Sequence, residues 1–193
     1  MRQKLDENRI YEIALRQFAQ FGYKKATLED IASELNMTGA SLYSYASSKL
    51  ELYHDSVSYI LKKWEQYVLD ELQNAKTASE FMEIFFTSSI AYLNGNPTFR
   101  TLLKKDPGII SPSNSDCSYE KVISDLFEKL RAAIAKGTAC GEFCSVDAGK
   151  CADAMGYVFK HVIIDAYVRD EFDGVIEALP EMIKLLLNGL KTR

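Results

Sequence analysis

The chain has 193 residues, 47% hydrophobic and 26% charged, with only 4 Pro and 10 Gly. That balance supports a sizeable core and long helices, and it excludes wholesale disorder. A net charge of −4 excludes a general nucleic-acid coat. The charge is uneven, however. The first 50 residues hold seven Lys/Arg and six Asp/Glu, leaving 16 basic and 21 acidic residues for the rest. Any DNA contact therefore belongs to the N-terminal part, with the acidic remainder kept clear of phosphates. No apolar h-region opens the chain, and no run approaches the roughly 20 apolar residues of a membrane span. The sequence reads as cytoplasmic and without a membrane partner. Its four cysteines, Cys117, Cys140, Cys144 and Cys151, are then expected to be mostly reduced.

In chain order, Ile10, Ile13, Ala14, Phe18 and Phe21 share one helical face, and Gly22 follows as a C-cap. Thr27 and Asp30 form a capping-box pattern that opens a short helix with Leu28, Ile31, Ala32 and Leu35 inward. Asn36 and Met37 make a tight turn, and Thr38 caps a third helix running to about Tyr45. Ser48 and Glu51 form a second box before a long helix, whose face carries Leu52, Tyr59, Ile60, Lys63, Trp64, Tyr67 and Val68. Thr77 and Glu80 form a third, followed by Phe81, Ile84, Phe85, Ser88 and Tyr92. Asn96 before Pro97 opens a short helix ending near Lys105. Residues 106–118 read as a loop. Val122, Leu126, Phe127, Leu130 and Ile134 mark the next helix, and 137–141 a turn. Ala148, Cys151, Ala152, Met155, Phe159, Val162, Ile163 and Ala166 mark another. The last helix starts near Val175 or Pro180, which either kinks or begins it, and reaches Leu190. The expectation is an all-α chain of about nine helices with no internal repeat.

Two short helices joined by a tight turn match a helix-turn-helix, whose second helix enters the major groove. Residues 39–45 would be that helix. Leu42 anchors it, and the other side chains are small or carry hydroxyls, so they allow close approach to base edges and donate to phosphates. Lys49 in the first turn of the following helix opposes the helix dipole, a placement that makes sense beside a phosphate. The alternative is that the three helices only cap a bundle.

Residues 14–57 resemble the DNA-binding domain of the TetR family. The resemblance rests on Phe-Ala-Gln-Phe-Gly-Tyr (18–23), Thr-Leu-Glu-Asp-Ile-Ala (27–32) and Leu-Tyr-Ser-Tyr-Ala-Ser-Ser-Lys (42–49), in blocks at fixed spacing. It implies a three-helix DNA-binding domain over 1–47 and a helical ligand-binding and dimerisation domain over 48–193, with the helix from Lys49 connecting them. It further implies that Gly39, Ala40 and Tyr43 face bases, and that Thr27, Ser41, Ser44, Tyr45 and Lys49 hold phosphates. The partners implied are a double-stranded DNA operator, a small-molecule effector and a second copy of the chain. Repression is the family's usual mode. Two departures from the pattern stand out. Gly39 replaces a polar or basic residue, and Ala46 replaces Phe. They keep open an adaptor of the same fold that meets a protein instead of DNA.

On the last helix, Met182, Ile183, Leu185, Leu186, Leu187 and Leu190 cover an arc of roughly 200°. One buried face needs a stripe only a little over about 100° wide. The excess points to a dimer in which the last two long helices of each copy form a four-helix bundle, with Val162, Ile163, Ala166, Met182, Ile183, Leu186, Leu187 and Leu190 at the interface. A helix buried centrally in one chain is the alternative. A dimer spaces two recognition helices roughly 34–36 Å apart and implies a palindromic operator. The aromatic middle helices offer Trp64, Tyr67, Phe85, Tyr92, Phe127, Met155 and Phe159 as an effector lining, or simply as packed core. Among the cysteines, Cys151 reads as core, and the spacing of Cys140, Cys144 and Cys151 matches no common zinc pattern. His161 reads as a core or interface histidine. There is no phosphate loop, nucleophile elbow or zinc-protease motif, so no enzyme and no cofactor are expected.

Overall fold

A computed structural model of the chain describes residues 6–110, 120–169 and 172–191. Among these are nine α-helices and no strand: α1 (Glu7–Lys25), α2 (Leu28–Glu34), α3 (Gly39–Leu42), α4 (Lys49–Leu72), α5 (Ala78–Gly95), α6 (Pro97–Lys105), α7 (Glu120–Ala139), α8 (Ala148–Ile163) and α9 (Phe172–Leu190). The all-α architecture expected from periodicity is the one found. Cys117 and most of the expected loop lie outside the described residues. No described helix is long and apolar enough to cross a membrane.

Two compact units divide the chain, one formed by residues 1–63 with 96–120, the other by 64–95 with 121–193. In the first, α1 buries Ile10, Ile13, Ala14, Leu15, Phe18 and Ala19. Phe21, expected on that face, is 45% exposed, because Gly22 turns the chain one residue later. The amphipathic α6 lies against α1 and buries Phe99, Leu102 and Leu103. Each such side chain removed from water is worth about 1.5–3 kcal/mol. Asn96 accepts from the Phe99 N–H, and Pro97 occupies the first helical position, where its missing donor costs nothing. A 3-10 turn (Pro107–Ile109) follows. Asp106 ties it down by accepting from Gly108 N–H and, at 2.6 Å, from the Tyr53 hydroxyl.

In the second unit α5 buries Met82, Phe85, Phe86, Ile90 and Leu93. Gly137, expected in a turn, lies inside α7 instead. A Cβ there would stand 2.5 Å from the Phe143 ring and 2.7 Å from the Ala78 Cβ, so this position needs a bare backbone. Phe143 pairs with Lys191 in a single antiparallel bridge, and Cys144 N–H donates to Leu190 O at 2.7 Å. A π-helical turn (Ile164–Val168) extends α8. It brings Tyr167 inside, where the phenol donates to Asn94 Oδ1 at 2.8 Å. Pro180 does not start α9. It stands in the helix interior on an exposed face, and the helix begins at Phe172.

The N-terminus of α5 has a remote cap. Glu142, in the turn after α7, accepts from Ala78 N–H at 2.9 Å and from Ser79 N–H at 2.7 Å. Burial pushes the Glu142 carboxyl up, but the bonds from Ser79 and Ala78 and the nearby Lys191 hold it below its ordinary value on balance. A carboxylate with a lowered folded value contributes stability above its unfolded value, about 4.3, and loses it as pH falls through the folded one. Glu142→Ala should therefore cost about 1–2 kcal/mol at pH 7. Urea melts at several pH values should show that difference shrinking below about pH 4; a difference unchanged by pH would contradict the charged cap.

Candidate nucleic-acid interface and ligand core

The geometry of the N-terminal helices begins with caps. Thr27 accepts from Asp30 N–H at 3.1 Å, and its hydroxyl donates to the Asp30 carboxylate. Leu28, Ile31, Ala32 and Leu35 are buried, as the periodicity predicts. Asn36 then takes the left-handed conformation, φ 55°, and Met37 N–H returns to Ala32 O at 2.9 Å. This is the tight turn, and asparagine is among the few side chains that tolerate that backbone. Thr38 caps α3 by accepting from Ser41 N–H at 3.2 Å.

Residues 39–45 were expected to form one helix, but α3 itself is only four residues long. The path continues in tight turns, with Tyr45 N–H to Leu42 O at 2.9 Å and Ala46 N–H to the same carbonyl at 3.3 Å. Leu42 is 1% exposed and anchors the segment, and Ala46, four residues on, is also buried. The small side chain at 46 therefore still occupies a core position.

Gly39, Ala40, Ser41, Tyr43 and Ser44 are exposed or half-buried, and Tyr43 is 53% exposed. A Cβ at Gly39 would meet nothing within 4 Å, so packing does not demand glycine there. Two hydroxyls are engaged locally: Ser41 pairs with the Thr38 hydroxyl at 2.9 Å, and Ser44 donates to Ser41 O at 2.7 Å. Tyr45 is half-buried.

Lys49 has internal partners at the end of α1. Its ammonium donates to Lys24 O at 3.2 Å and sits 4.8 Å from the Tyr23 ring centre. A cation near the last carbonyls of α1 is favourable. Tyr23 in turn lies against Phe18 and Tyr53. Tyr23 and Lys24 thus belong to the same edge as Lys49. The available signal was the glycine stop at Gly22 with two lysines in the last turn.

In the other unit, Trp64 of α4, Phe85 of α5, Phe127 of α7 and Phe159 of α8 meet in one ring cluster. Trp64 stacks on Phe159 at 6.4 Å, and Phe85 lies 5.8 Å from Phe127 and 6.1 Å from Phe159. Phe86 joins at 5.6 Å from Phe159. Met155 is buried one turn before Phe159. Tyr67 and Tyr92 form a separate pair at 5.5 Å, with Tyr67 38% exposed. The Ser88 hydroxyl, on the face of α5 shared by Phe85 and Tyr92, is buried and has no hydrogen-bond partner among the described residues.

Most residues expected at a dimer interface are already buried within one chain: Val162, Ile163, Ala166, Ile183, Leu187 and Leu190. Met182 and Leu186 are half-buried. The surface that α8 and α9 leave open is carried instead by Tyr157, 67% exposed, and Leu185, 73% exposed. Beside them lies a groove of about 430 Å³ lined by Tyr157, Val158, His161, Ala178 and Met182. The wide apolar arc of α9 has two halves, and the inner one serves the chain's own core. His161, expected in the core or at an interface, is exposed and lines this groove. Cys151 is half-buried, not fully core, and Cys140 is exposed.

The described residues thus present a helix-turn-helix with an exposed, hydroxyl-rich second helix and, in the other unit, an aromatic core. Residues 10–55 match the family model described as bacterial regulatory proteins, tetR family. Over 57 residues the chain is 33% identical to the uncharacterized HTH-type transcriptional regulator YhgD of Bacillus subtilis (strain 168), a match covering 30% of this chain and 30% of that relative. The fatty acid degradation regulator FadR from Bacillus halodurans superposes with a TM-score of 0.80 over 96% of this chain and 100% of its own, at 16% identity. FadR from Bacillus subtilis, in complex with stearoyl-CoA, superposes with a TM-score of 0.79 over 95% of this chain and 99% of its own, at 14% identity. The match to the tetR family model therefore lies in the N-terminal helices, over residues 10–55.

The geometry makes Gly22 a sensitive point. Its backbone, φ 77° and ψ 159°, lies in a region essentially reserved for glycine, and it sets the direction of Tyr23 and Lys24. Gly22→Ala should lower stability by about 2 kcal/mol. Thermal or urea melts read this directly; a loss under about 0.5 kcal/mol would show that the turn relaxes freely.

Proposed function

We propose that the chain is a ligand-responsive repressor that binds a palindromic operator as a dimer and is released by a small, partly apolar effector. The observation that carries this reading is Tyr43, 53% exposed among small neighbours on a segment anchored by Leu42. An aromatic side chain held out at the end of α3 is placed to meet a base edge or a phosphate. Residues 1–47 read the DNA, with Gly39, Ala40 and Tyr43 toward bases and Thr27, Ser41, Ser44, Tyr45 and Lys49 toward phosphates. Ser41, Ser44 and Lys49 exchange their local bonds for phosphate oxygens on binding.

Residues 48–193 bind the effector and dimerise. The ring cluster of Trp64, Phe85, Phe127 and Phe159, with Met155, Tyr67 and Tyr92, supplies apolar contact. The unpartnered Ser88 hydroxyl is the kind of buried group a ligand satisfies. The stearoyl-CoA bound by FadR of Bacillus subtilis supports an effector with a large apolar part. The effector acts by favouring a spacing of recognition helices that does not fit successive major grooves, and its effect equals its differential affinity for the two states. The open part of the α8–α9 surface, around Tyr157, Met182 and Leu185, meets the second copy.

Fluorescence anisotropy with DNA flanking the protein's own gene, at two salt concentrations, tests the DNA reading. Tyr43→Ala should weaken binding by about 1–3 kcal/mol, roughly five- to 150-fold. Lys49→Gln should weaken it across sequences and reduce the salt slope by about one. Wild-type affinity in both variants would end the recognition-helix assignment. For the dimer, sedimentation should show the wild type as two copies and Leu185→Glu as one copy with unchanged helicity. A dimer that survives Leu185→Glu would move the interface elsewhere.

A further inference from the structure

Where α4 ends and α5 begins, the second unit carries a groove of about 450 Å³ against α7 that the regulator reading does not use. Its apolar lining comes from Leu69 and Leu72 of α4, Phe81 of α5, and Ala132 and Ala133 of α7. The small side chains at 132 and 133 lie between Lys129 and Lys136, all at i, i+3, i+4, i+7 spacing on one face of α7. With Lys76, these make three exposed ammonium groups in the lining, and the lining contains no carboxylate. None of the three lysines forms an ion pair with a described residue. Two carboxylates border the lining at its α5 end, each bonded to a backbone donor: Glu80 accepts from Lys76 N–H, and Glu142 from Ala78 N–H.

We propose that this groove binds a single-chain amphipathic anion, an aliphatic carboxylate of fatty-acid class, taken as a free monomer. The volume lies within the usual range for a small-molecule site, and a mostly apolar lining with a few convergent polar groups is how such sites are built. The alkyl chain lies along Leu69, Leu72 and Phe81 and over the two alanines. The carboxylate is held by the ammonium groups of Lys129 and Lys136, with Lys76 at the far end, all of which offer charge-assisted hydrogen bonds. A nucleic acid fits the surface less well, since Phe81 is the only aromatic ring in the lining on which a base could stack. The site stands apart from the ring cluster around Phe159 and does not depend on DNA binding.

Titration of the full-length 15N-labelled protein with sodium dodecanoate below its micellar concentration tests the proposal. Dodecylammonium serves as the charge-reversed probe, and phosphatidylglycerol vesicles as the membrane arm. Dodecanoate should shift amides within 69–81 and 129–136, and dodecylammonium should leave them in place. Lys129→Gln with Lys136→Gln should weaken dodecanoate about tenfold or more. Ala132→Leu, at an exposed helical position where folding is not at stake, should fill the groove and weaken it similarly. Three results would overturn the proposal: shifts confined to other residues, equal binding of the two head-group charges, or wild-type affinity in both variants. Binding to the vesicles without binding to monomeric dodecanoate would also overturn it.

Discussion

Every helix begins with backbone N–H groups that no helical carbonyl can reach, and in an all-helical chain these must be satisfied again and again. Side-chain oxygens meet that demand throughout this molecule. Asp6, Thr27, Thr38, Asn96 and Asp147 each accept from the start of their own helix. Ser48 and Thr77 accept from Glu51 and Glu80 N–H. The boundaries of the elements, and hence the places where the chain can turn, follow from these caps. The helix-turn-helix depends on two of them set eleven residues apart, Thr27 and Thr38, with Asn36 supplying the one left-handed backbone between.

That local chemistry explains what the sequence makes legible. A capping residue and the N–H that donates to it lie three positions apart, so α2, α3, α4, α5 and α6 are found at or near their expected starts. Even here one detail differs. The acids of the Ser48 and Thr77 boxes reach one residue further back than the standard pattern, Glu51 to Ser47 N–H and Glu80 to Lys76 N–H. What was not legible depends on contacts far apart in sequence. Glu142 caps α5 from 64 residues away. Gly137 looks like a turn residue until Phe143 is seen lying on it. Pro180 looks like a boundary, yet α9 carries it on an exposed face.

The same distinction governs the candidate sites. The outward set on and after α3 was readable because a short segment with one apolar anchor leaves its other residues nowhere to be buried. The α8–α9 residues were harder, since apolar character alone does not say whether the contact lies within a chain or between two. Ile183 and Leu187 face inward while Leu185, between them, is almost wholly exposed, and only packing separates them. Lys49 shows a further limit. Its partner, Lys24 O, is a backbone carbonyl, which carries no residue-type signal at all.

The pairing of α1 with α6 has a consequence for synthesis. Residues 1–63 are made first, but the stretch 96–120 that completes the same unit emerges only after α5 has been made. Until then Phe99, Leu102 and Leu103 are absent, and the part of α1 they lie against remains uncovered. A contact spanning so many residues raises contact order and slows folding relative to a purely local three-helix unit. On the ribosome, the nascent helix-turn-helix therefore passes through a period of exposed apolar surface, the interval in which a chaperone has something to hold.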